Sequence, residues 1–456
     1  MTAIMPDRAH RPLTGFDYFL LVVLLIGLYL AFDFRVSAHI PFPSPPAGFA
    51  AIVLLCRRRD RIDPYHIVAL FLVLSVYLTS ILFAPNLAFL AKRTTGFLQF
   101  AYSLIVAYSL FLTMVAANPR VLARVLFGFC IAILVGSFLE DYFGFAAVSD
   151  AVRLHIFDYG IYDADRRDIM MYGRIRPKLF TSEPSSLTFN FTLLSFTWLM
   201  VSSWRGKILW YLAMMAAGLV LMPGPTLLLM AVLLVLYLFF ARFRSGLAND
   251  PLVRVIGVGT VGIVALAVLV SVGSSLFANR LALINSGGDA SFYFREIQPV
   301  QVAGDVAHRY PVFGIGLTDE PLIADRIEGF FQSSPAYNAD LDLGLGNSQT
   351  THNLTNYFWL HWVYLGLVWG GLAILALGLW LRLLGTPSVI FCFLVWAVMG
   401  QSLGNYVGPR TWAVMTMAAA GLMLQRRTIA APQLQRPFRI RSLPRRRHPV
   451  EPSFSS

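Results

Sequence analysis

The sequence predicts an all-α polytopic membrane protein with about 12 transmembrane helices and two long segments outside the membrane. Of its 456 residues, 57% are hydrophobic and only 13% are charged, whereas a soluble domain is about one quarter charged. The apolar residues fall in long runs, and a helix needs about 20 such residues to cross a hydrocarbon core. These observations exclude a soluble domain carried on a single membrane anchor.

The apolar runs divide the chain into membrane and extramembrane parts. The candidate spans lie at 16–34, 45–56, 65–84, 97–117, 123–145, 185–203, 208–222, 226–241, 253–272, 356–381, 387–404 and 409–424. The predicted organisation is N-terminal transmembrane helices at 1–145, a first long outer segment at 146–184, central transmembrane helices at 185–272, a large outer loop at 273–355, C-terminal transmembrane helices at 356–425 and a basic, disordered tail at 426–456.

The distribution of basic residues predicts the orientation of the chain. Most of the 36 lysines and arginines lie in the tail and in short segments on one side of the spans, so the positive-inside rule places both termini in the cytoplasm. The basic residues that give the net charge of +12 lie between apolar runs and in the tail. We therefore expect no nucleic-acid partner, but contact between the tail and anionic membrane lipid.

Several kinds of chemistry have no support in the sequence. Cys56, Cys130 and Cys392 lie in or beside apolar runs without paired spacing, so neither a disulfide framework nor a zinc site is expected. The chain has no P-loop motif, which argues against ATP-driven transport. No Asp-rich metal motif is present, and the expectation is that the protein needs no metal and no cofactor.

The first outer segment ends in a basic run. Arg174, Arg176 and Lys178 alternate, and on an extended strand they would project from one face. Aligned cations suit a phosphate or diphosphate, which arginine binds bidentately. Glu183 and Pro184 then begin the next helix. The alternative interpretation is contact with lipid phosphates, with Glu183 complementing the helix dipole.

The second outer segment contains three further features. Arg295 lies on a predicted interfacial helix from Ser291 to His308. The following run, Pro311 to Gly316, predicts a tight turn in which the backbone approaches another group closely. His352 and Asn353 precede an apolar span; a histidine there can act as a general base. The alternatives are snorkelling basic residues on an ordinary interfacial helix and helix capping near His352.

In this order of features the chain resembles the O-antigen ligase and Wzy-type polysaccharide polymerase superfamily. The matching residues are Arg176 to Ser185, Arg295 to Gly316, and His352-Asn353 followed by the span that contains Gly366. One departure is the turn from Met222 to Thr226, which lacks the arginine of the Ser-Arg-Thr-like turn in many members.

The resemblance implies a GT-C-like membrane glycosyltransferase in the bacterial inner membrane, with its two long segments in the periplasm. It implies polymerisation of undecaprenyl-diphosphate-linked oligosaccharides into exopolysaccharide, capsule or O-antigen, with the flippase and the chain-length regulator of the same pathway as candidate partners. The implied catalytic residues are His352, Arg295 and Glu183. The implied substrate-binding residues are Arg174, Arg176, Lys178, Arg280, Tyr310, Gly314, Gly316 and Asn353.

Three other functions stay open at this point. A ligase would transfer finished glycan to lipid A core. A transporter or flippase for a lipid-linked sugar would need polar residues along a path through the bilayer, and the candidates are His361, Gln401, Asn405 and Arg410. A membrane protein without enzymatic activity is the third.

Overall fold

The computed structural model describes residues 12–37, 40–157, 162, 165–242, 260, 271, 275, 277–342 and 354–434. This part of the chain is mainly helical. Its α-helices are α1 (Gly15–Leu30), α2 (Pro45–Arg57), α3 (Pro64–Leu82), α4 (Leu90–Ala116), α5 (Pro119–Phe143), α6 (Ala146–Ile156), α7 (Asp165–Tyr172), α8 (Pro184–Val201), α9 (Lys207–Leu221), α10 (Leu229–Tyr237), α11 (Ala278–Asn285), α12 (Ala290–Phe292), α13 (Gln298–Arg309), α14 (Ala324–Gln332), α15 (Pro335–Asp342), α16 (Tyr357–Leu383), α17 (Val389–Gly400) and α18 (Pro409–Leu434).

Four of these helices are long and apolar enough to cross a membrane. They are α3, α4, α5 and α16, which have 19, 27, 25 and 27 residues. At 1.5 Å per residue, each is close to or longer than a hydrocarbon core of about 30 Å. The protein therefore has the helices expected of a membrane-embedded chain.

The predicted spans coincide with helices wherever the structure describes them. Eleven of the twelve each overlap a helix. The twelfth, 253–272, lies outside the described residues apart from isolated positions, so the count of a dozen spans stays a prediction. The last helix reaches Leu434. It thus continues past position 426, where the disordered tail was predicted to begin, because Ile429, Ala430 and Ala431 prolong a helix-forming sequence.

The sequence did not predict the one two-stranded sheet that the described residues contain. Strands β1 (Asp33–Ser37) and β2 (Ile40–Pro43) pair antiparallel between α1 and α2, with Asp33 opposite Pro43. Pro41 and Pro43 have no backbone N–H, which is tolerated at the edge of a narrow ribbon. This short hairpin is an addition to a chain whose described part is otherwise mainly helical, as the all-α fold class predicts.

Helix α8 lies at the centre of the packing. All its residues from Pro184 to Val201 are buried, and α5, α9, α10 and α18 contact it. It mixes phenylalanine and leucine with serine and threonine, and the hydroxyls of Thr188, Ser195 and Thr197 bond backbone carbonyls, as Thr197 does with Leu193 at 2.8 Å. Such self-satisfied hydroxyls can be buried at little cost. The N-terminus of α8 is consequently a fixed point in the fold.

The two long segments that were predicted to lie outside the membrane contain short helices in their described parts. Helices α6 and α7 lie in 146–184, and α11 to α15 lie in the described part of 273–355. The predicted helix from Ser291 to His308 is confirmed as helical. It consists of α12, a π-helical turn at Tyr293–Ile297 and α13.

Candidate functional site

The loop that precedes α8 is held in place by four side chains. The Glu140 carboxylate accepts hydrogen bonds from the backbone N–H groups of Lys178 and Leu179 at 2.7 and 3.0 Å. The Tyr29 hydroxyl donates to the carbonyl of Leu179 at 2.7 Å. Arg153 donates to the carbonyls of Thr181 and Ser182 at 2.7 and 2.8 Å, and Ser149 Oγ accepts from Phe180 N at 2.9 Å. With its backbone bonded in this way, the loop has little freedom to move.

Glu183 lies at the end of this loop, as the N-cap residue of α8. Its backbone is extended, with φ −152° and ψ 158°, and Pro184 follows in the first helical turn. Proline at this position leaves no extra N–H unsatisfied. The hydroxyl of Ser185 donates to the Glu183 carboxylate. Fold and loop together fix where this carboxylate points.

Four of the predicted site residues line one pocket beside this carboxylate. Arg176, Glu183, Arg280 and Arg295 come from three separate parts of the chain. We call this the arginine pocket, and its complete lining is Tyr162, Arg167, Met171, Tyr172, Arg176, Glu183, Pro184, Ser185, Arg280, Ser291 and Arg295. Four arginines and one carboxylate are among the lining side chains.

Two of these arginines have carboxylate partners. Arg176 forms an ion pair with Asp168 at 2.7 Å, and its guanidinium lies 4.6 Å from the centre of the Tyr172 ring. Burial lowers the pKa of Arg176, but the nearby tyrosine phenol groups and the Asp168 carboxylate outweigh it, so the net shift is upward. Arg280 pairs with Asp289 at 2.7 Å and donates to the Tyr172 hydroxyl at 2.6 Å. The charges of Arg176 and Arg280 are therefore largely balanced.

Arg295 differs from its neighbours. Its guanidinium forms no hydrogen bond or ion pair within the described part of the chain. Burial lowers the pKa of Arg295, Glu183 opposes that shift, and Arg280 and Arg176 reinforce it. Its backbone is fixed, because Asn356 Nδ2 donates to the Arg295 carbonyl at 2.9 Å. A rigidly mounted cation without a bonded partner is suited to an anionic ligand.

Arg410 does not line the arginine pocket but is a further cation on which the Glu183 charge acts, and the sequence indicated it only as a polar residue near a transport path. It lies in the first turn of α18, with its guanidinium 6.0 Å from the centre of the Phe189 ring. Its Nη1 atom is buried and has no hydrogen-bond partner among the residues described. Glu183 and Asp33 are the carboxylates whose charges act on it. Glu183 is thus a shared electrostatic neighbour of Arg295 and Arg410.

The cavity inside the arginine pocket is small. Its volume is about 20 Å³, enough for about one water molecule. A diphosphate would enter only if the long arginine side chains moved apart. Guanidinium groups on flexible stems can do so at the cost of some rotamer entropy.

Arg174 and Lys178 do not join the arginine pocket. The run that contains them is irregular rather than an extended strand, and each of its three cations pairs with its own carboxylate. Arg174 pairs with Asp141 at 2.8 Å, and Lys178 pairs with Asp165 at 3.0 Å. They line an adjoining cavity of about 480 Å³. We call it the mixed-charge cleft, and its lining is Glu140, Asp141, Tyr142, Ala146, Asp150, Asp165, Arg174, Ile175, Arg176, Pro177 and Lys178.

Tyr310, Gly314 and Gly316 line neither cavity. Gly314 and Gly316 have φ of 64° and 94°, and the backbone of Gly316 donates to the Tyr364 carbonyl at 3.0 Å. A Cβ on Gly314 would lie 2.5 Å from the nitrogen of Gly366, the non-helical residue where α16 kinks. The predicted close approach is thus confirmed, but the partner is the kink of a helix and not a ligand. The structure gives no support to substrate contacts by these three residues.

An ion pair fixes the same turn from the other side. A Cβ on Gly316 would lie 2.9 Å from Nε of Arg93, and that Nε donates to Asp319 at 2.8 Å. Both side chains of the pair are fully buried. Lys92 and Glu320 form a second, more exposed pair beside it at 3.1 Å. The two glycines therefore let this turn pack closely against Arg93 of α4 and Gly366 of α16.

The part of the chain that holds the proposed base precedes the last group of helices. His352 and Asn353 lie outside the described residues, which resume at Leu354. The predicted roles of His352 as base and of Asn353 in substrate binding stay predictions.

The polar residues suggested for a transport path are mostly engaged inside the protein. His361 Nε2 contacts the Gly370 carbonyl at 3.0 Å, so this nitrogen carries the proton in neutral imidazole. Nδ1 then accepts from the Tyr406 hydroxyl at 2.8 Å, and Tyr77 donates to Tyr406 at 2.6 Å. Gln401 accepts from Asn356 at 2.7 Å and donates to Ala397 at 3.0 Å. This chain of bonds stabilises helix packing and leaves little polar capacity for a passing sugar.

Among the described residues, no group of three or more His, Cys, Asp or Glu side chains is arranged to hold a metal ion.

Comparison with known proteins adds nothing to this description of the site. No protein-family model matches the chain, and no curated protein is significantly similar to it.

Proposed function

We propose that the protein is a metal-independent membrane glycosyltransferase that polymerises undecaprenyl-diphosphate-linked oligosaccharides at the periplasmic face of the bacterial inner membrane. The single observation that carries the proposal is Arg295, whose backbone carbonyl is held by Asn356 and whose guanidinium has no bonded partner in the described structure. It lies in a pocket with Arg176, Arg280 and Glu183. A pocket rich in arginine beside apolar helices suits a diphosphate that is attached to a lipid chain.

The reaction needs such a site because of its leaving group. The acceptor hydroxyl oxygen forms a bond to the anomeric carbon of the donor sugar, and the bond from that carbon to the diphosphate oxygen breaks. The electron pair of the broken bond leaves with undecaprenyl diphosphate. Cations already in place stabilise the negative charge that develops there, most strongly where water is scarce. Arg295 has this role in our proposal, with Arg176 and Arg280 in support.

The proton of the acceptor hydroxyl needs a base. His352 is the proposed base, since imidazole accepts a proton near neutral pH. Glu183 is the second candidate for the base. Its position beside both Arg295 and Arg410 suits better a role in orienting the two cations while the site is empty.

A polymer assay in cells tests the proposal. Arg295→Ala and His352→Ala should abolish long glycan on gels while the protein stays in the membrane. The matched control is Arg309→Ala, on the following helix, whose side chain is 45% exposed and pairs with Asp305. That variant should make polymer of normal length. Normal polymer in both site variants would refute these roles.

Assays on purified protein separate polymerisation from its alternatives. Supplied with lipid-linked repeat units alone, a polymerase lengthens them. A ligase leaves them unchanged until lipid A core is added. A transporter moves them across a vesicle membrane without changing their length, and this result would overturn the proposal.

A further inference from the structure

The mixed-charge cleft has the size and position of a binding site. Its volume of about 480 Å³ falls within the range of about 300 to 1,000 Å³ usual for small-molecule sites. Arg176 lines both this cleft and the arginine pocket. The two cavities are therefore neighbours.

The charges in the cleft disfavour an anion. Three cations and four carboxylates line it. Arg174 and Lys178 are paired with Asp141 and Asp165, and Arg176 is paired with Asp168. A diphosphate would have to displace these carboxylates before it gained the attraction of the cations.

The same lining of the mixed-charge cleft suits a neutral ligand with many hydroxyl groups. Each hydroxyl can donate to a carboxylate and accept from a cation. Asp165 is 41% exposed although it pairs with Lys178, and Asp150 is 45% exposed although it pairs with Arg153. Both carboxylates keep oxygen atoms accessible for further hydrogen bonds.

The cleft also has an apolar part. Tyr142 is 60% exposed and Ile175 is 45% exposed, and both line it. The face of an aromatic ring packs well against the C–H face of a sugar ring, while the hydroxyls around the sugar edge reach polar side chains.

We propose that the mixed-charge cleft holds the sugar units of the lipid-linked glycan, with Tyr142 as the residue against which a sugar ring packs. This inference rests on the proposed function, since it takes the arginine pocket to hold the diphosphate. In the donor the first sugar is bonded to the diphosphate, so the sugar site must adjoin the diphosphate site. The cleft meets this condition through Arg176.

Two binding probes test the inference separately from the proposed function. One is undecaprenyl diphosphate, and the other is the same lipid carrying the oligosaccharide extracted from the producing cells. Affinity of the purified full-length protein for both is measured in detergent. The wild-type protein should bind the glycan-bearing lipid more tightly. Tyr142→Ala should weaken that binding by about fivefold to tenfold and leave the affinity for the bare lipid diphosphate unchanged.

The neighbouring residue offers a matched control. Phe143 is 69% exposed in the same last turn of α5 and does not line the cleft. Phe143→Ala should change neither affinity. Ile175→Trp, which fills the cleft, is an independent second variant and should also weaken only the glycan-bearing lipid.

The possible outcomes are distinct. If Tyr142→Ala and Ile175→Trp both retain the full advantage of the glycan-bearing lipid, the cleft is not the sugar site, and the proposed function survives. If the wild-type protein binds neither probe, or if Arg295→Ala binds the bare lipid diphosphate normally, the proposed function fails.

Discussion

The arginine pocket and the mixed-charge cleft lie side by side and share Arg176, yet they differ in how their cations are balanced. In the cleft, Arg174 and Lys178 each form an ion pair with a carboxylate. In the pocket, Arg295 has no such partner within the described structure. Paired cations retain little attraction for an anion, whereas a cation held close to a carboxylate without bonding it stays available. Whether basic residues are paired with carboxylates therefore says more about anion binding than how many of them the sequence contains.

The largest effect should come from Arg295. Arg295→Ala should weaken binding of undecaprenyl diphosphate and slow polymer formation by about 100-fold or more, because it removes a cation that has no bonded partner to give up when the anion binds. Arg295→Lys keeps the charge but loses the bidentate geometry and should be intermediate. Purified protein and a fluorescent lipid diphosphate give the affinities. If the wild-type protein, Arg295→Ala and Arg295→Lys all bound undecaprenyl diphosphate equally well, the pocket would bind the anion no better than the cleft with its paired cations.

A smaller effect is expected for Glu183. Glu183→Gln should slow polymer formation by up to about 100-fold, since a misplaced guanidinium costs catalysis without removing it. Binding of undecaprenyl diphosphate should become tighter, because a competing negative charge is lost. Measured together, rate and affinity should move in opposite directions. Weaker binding in this variant would contradict the orienting role.

Arg410 should contribute less than Arg295. Arg410→Ala should reduce affinity for undecaprenyl diphosphate by about tenfold, the typical worth of a charge-assisted hydrogen bond. Arg410→Lys should restore part of it. Combining Arg410→Ala with Glu183→Gln tests the alternative that Arg410 only balances Glu183. In that case the double variant would bind as tightly as Glu183→Gln alone.

The smallest effect should be found in the cleft. Arg174→Ala removes a cation that is 30% exposed and already paired, so affinity for undecaprenyl diphosphate should change by less than about threefold. The cost should instead appear in stability, at about 0.5 kcal/mol for a partly exposed ion pair. Detergent thermal-shift measurements can detect it. A loss as large as that of Arg295→Ala would show that the cleft, too, binds the anion.

The sequence predicted more of the helices than of the site. The predicted spans in the described regions all overlap helices, and the helix around Arg295 was found at its predicted place, because hydrophobic runs and helix signals are local. The alternation of Arg174 with Lys178 indicated cations available to a phosphate, but it could not reveal that Asp141 and Asp165 pair with them. Arg410 was not predicted as a site residue, because the sequence around it does not reveal that the charge of Glu183 acts on it in the folded protein.

By itself the sequence determined where the chain is apolar and helical and where glycine lets the backbone turn closely, since these properties depend on neighbouring residues. Only the tertiary structure decided which cations are paired with other groups of the protein and which remain available to an anionic ligand. Asp319 neutralises Arg93 from 226 positions away, and Tyr172 binds Arg280 across 108 positions, whereas Arg295 acquires no such partner in the described structure. Coulomb attraction acts over a few ångströms in space, and sequence separation does not reveal that distance.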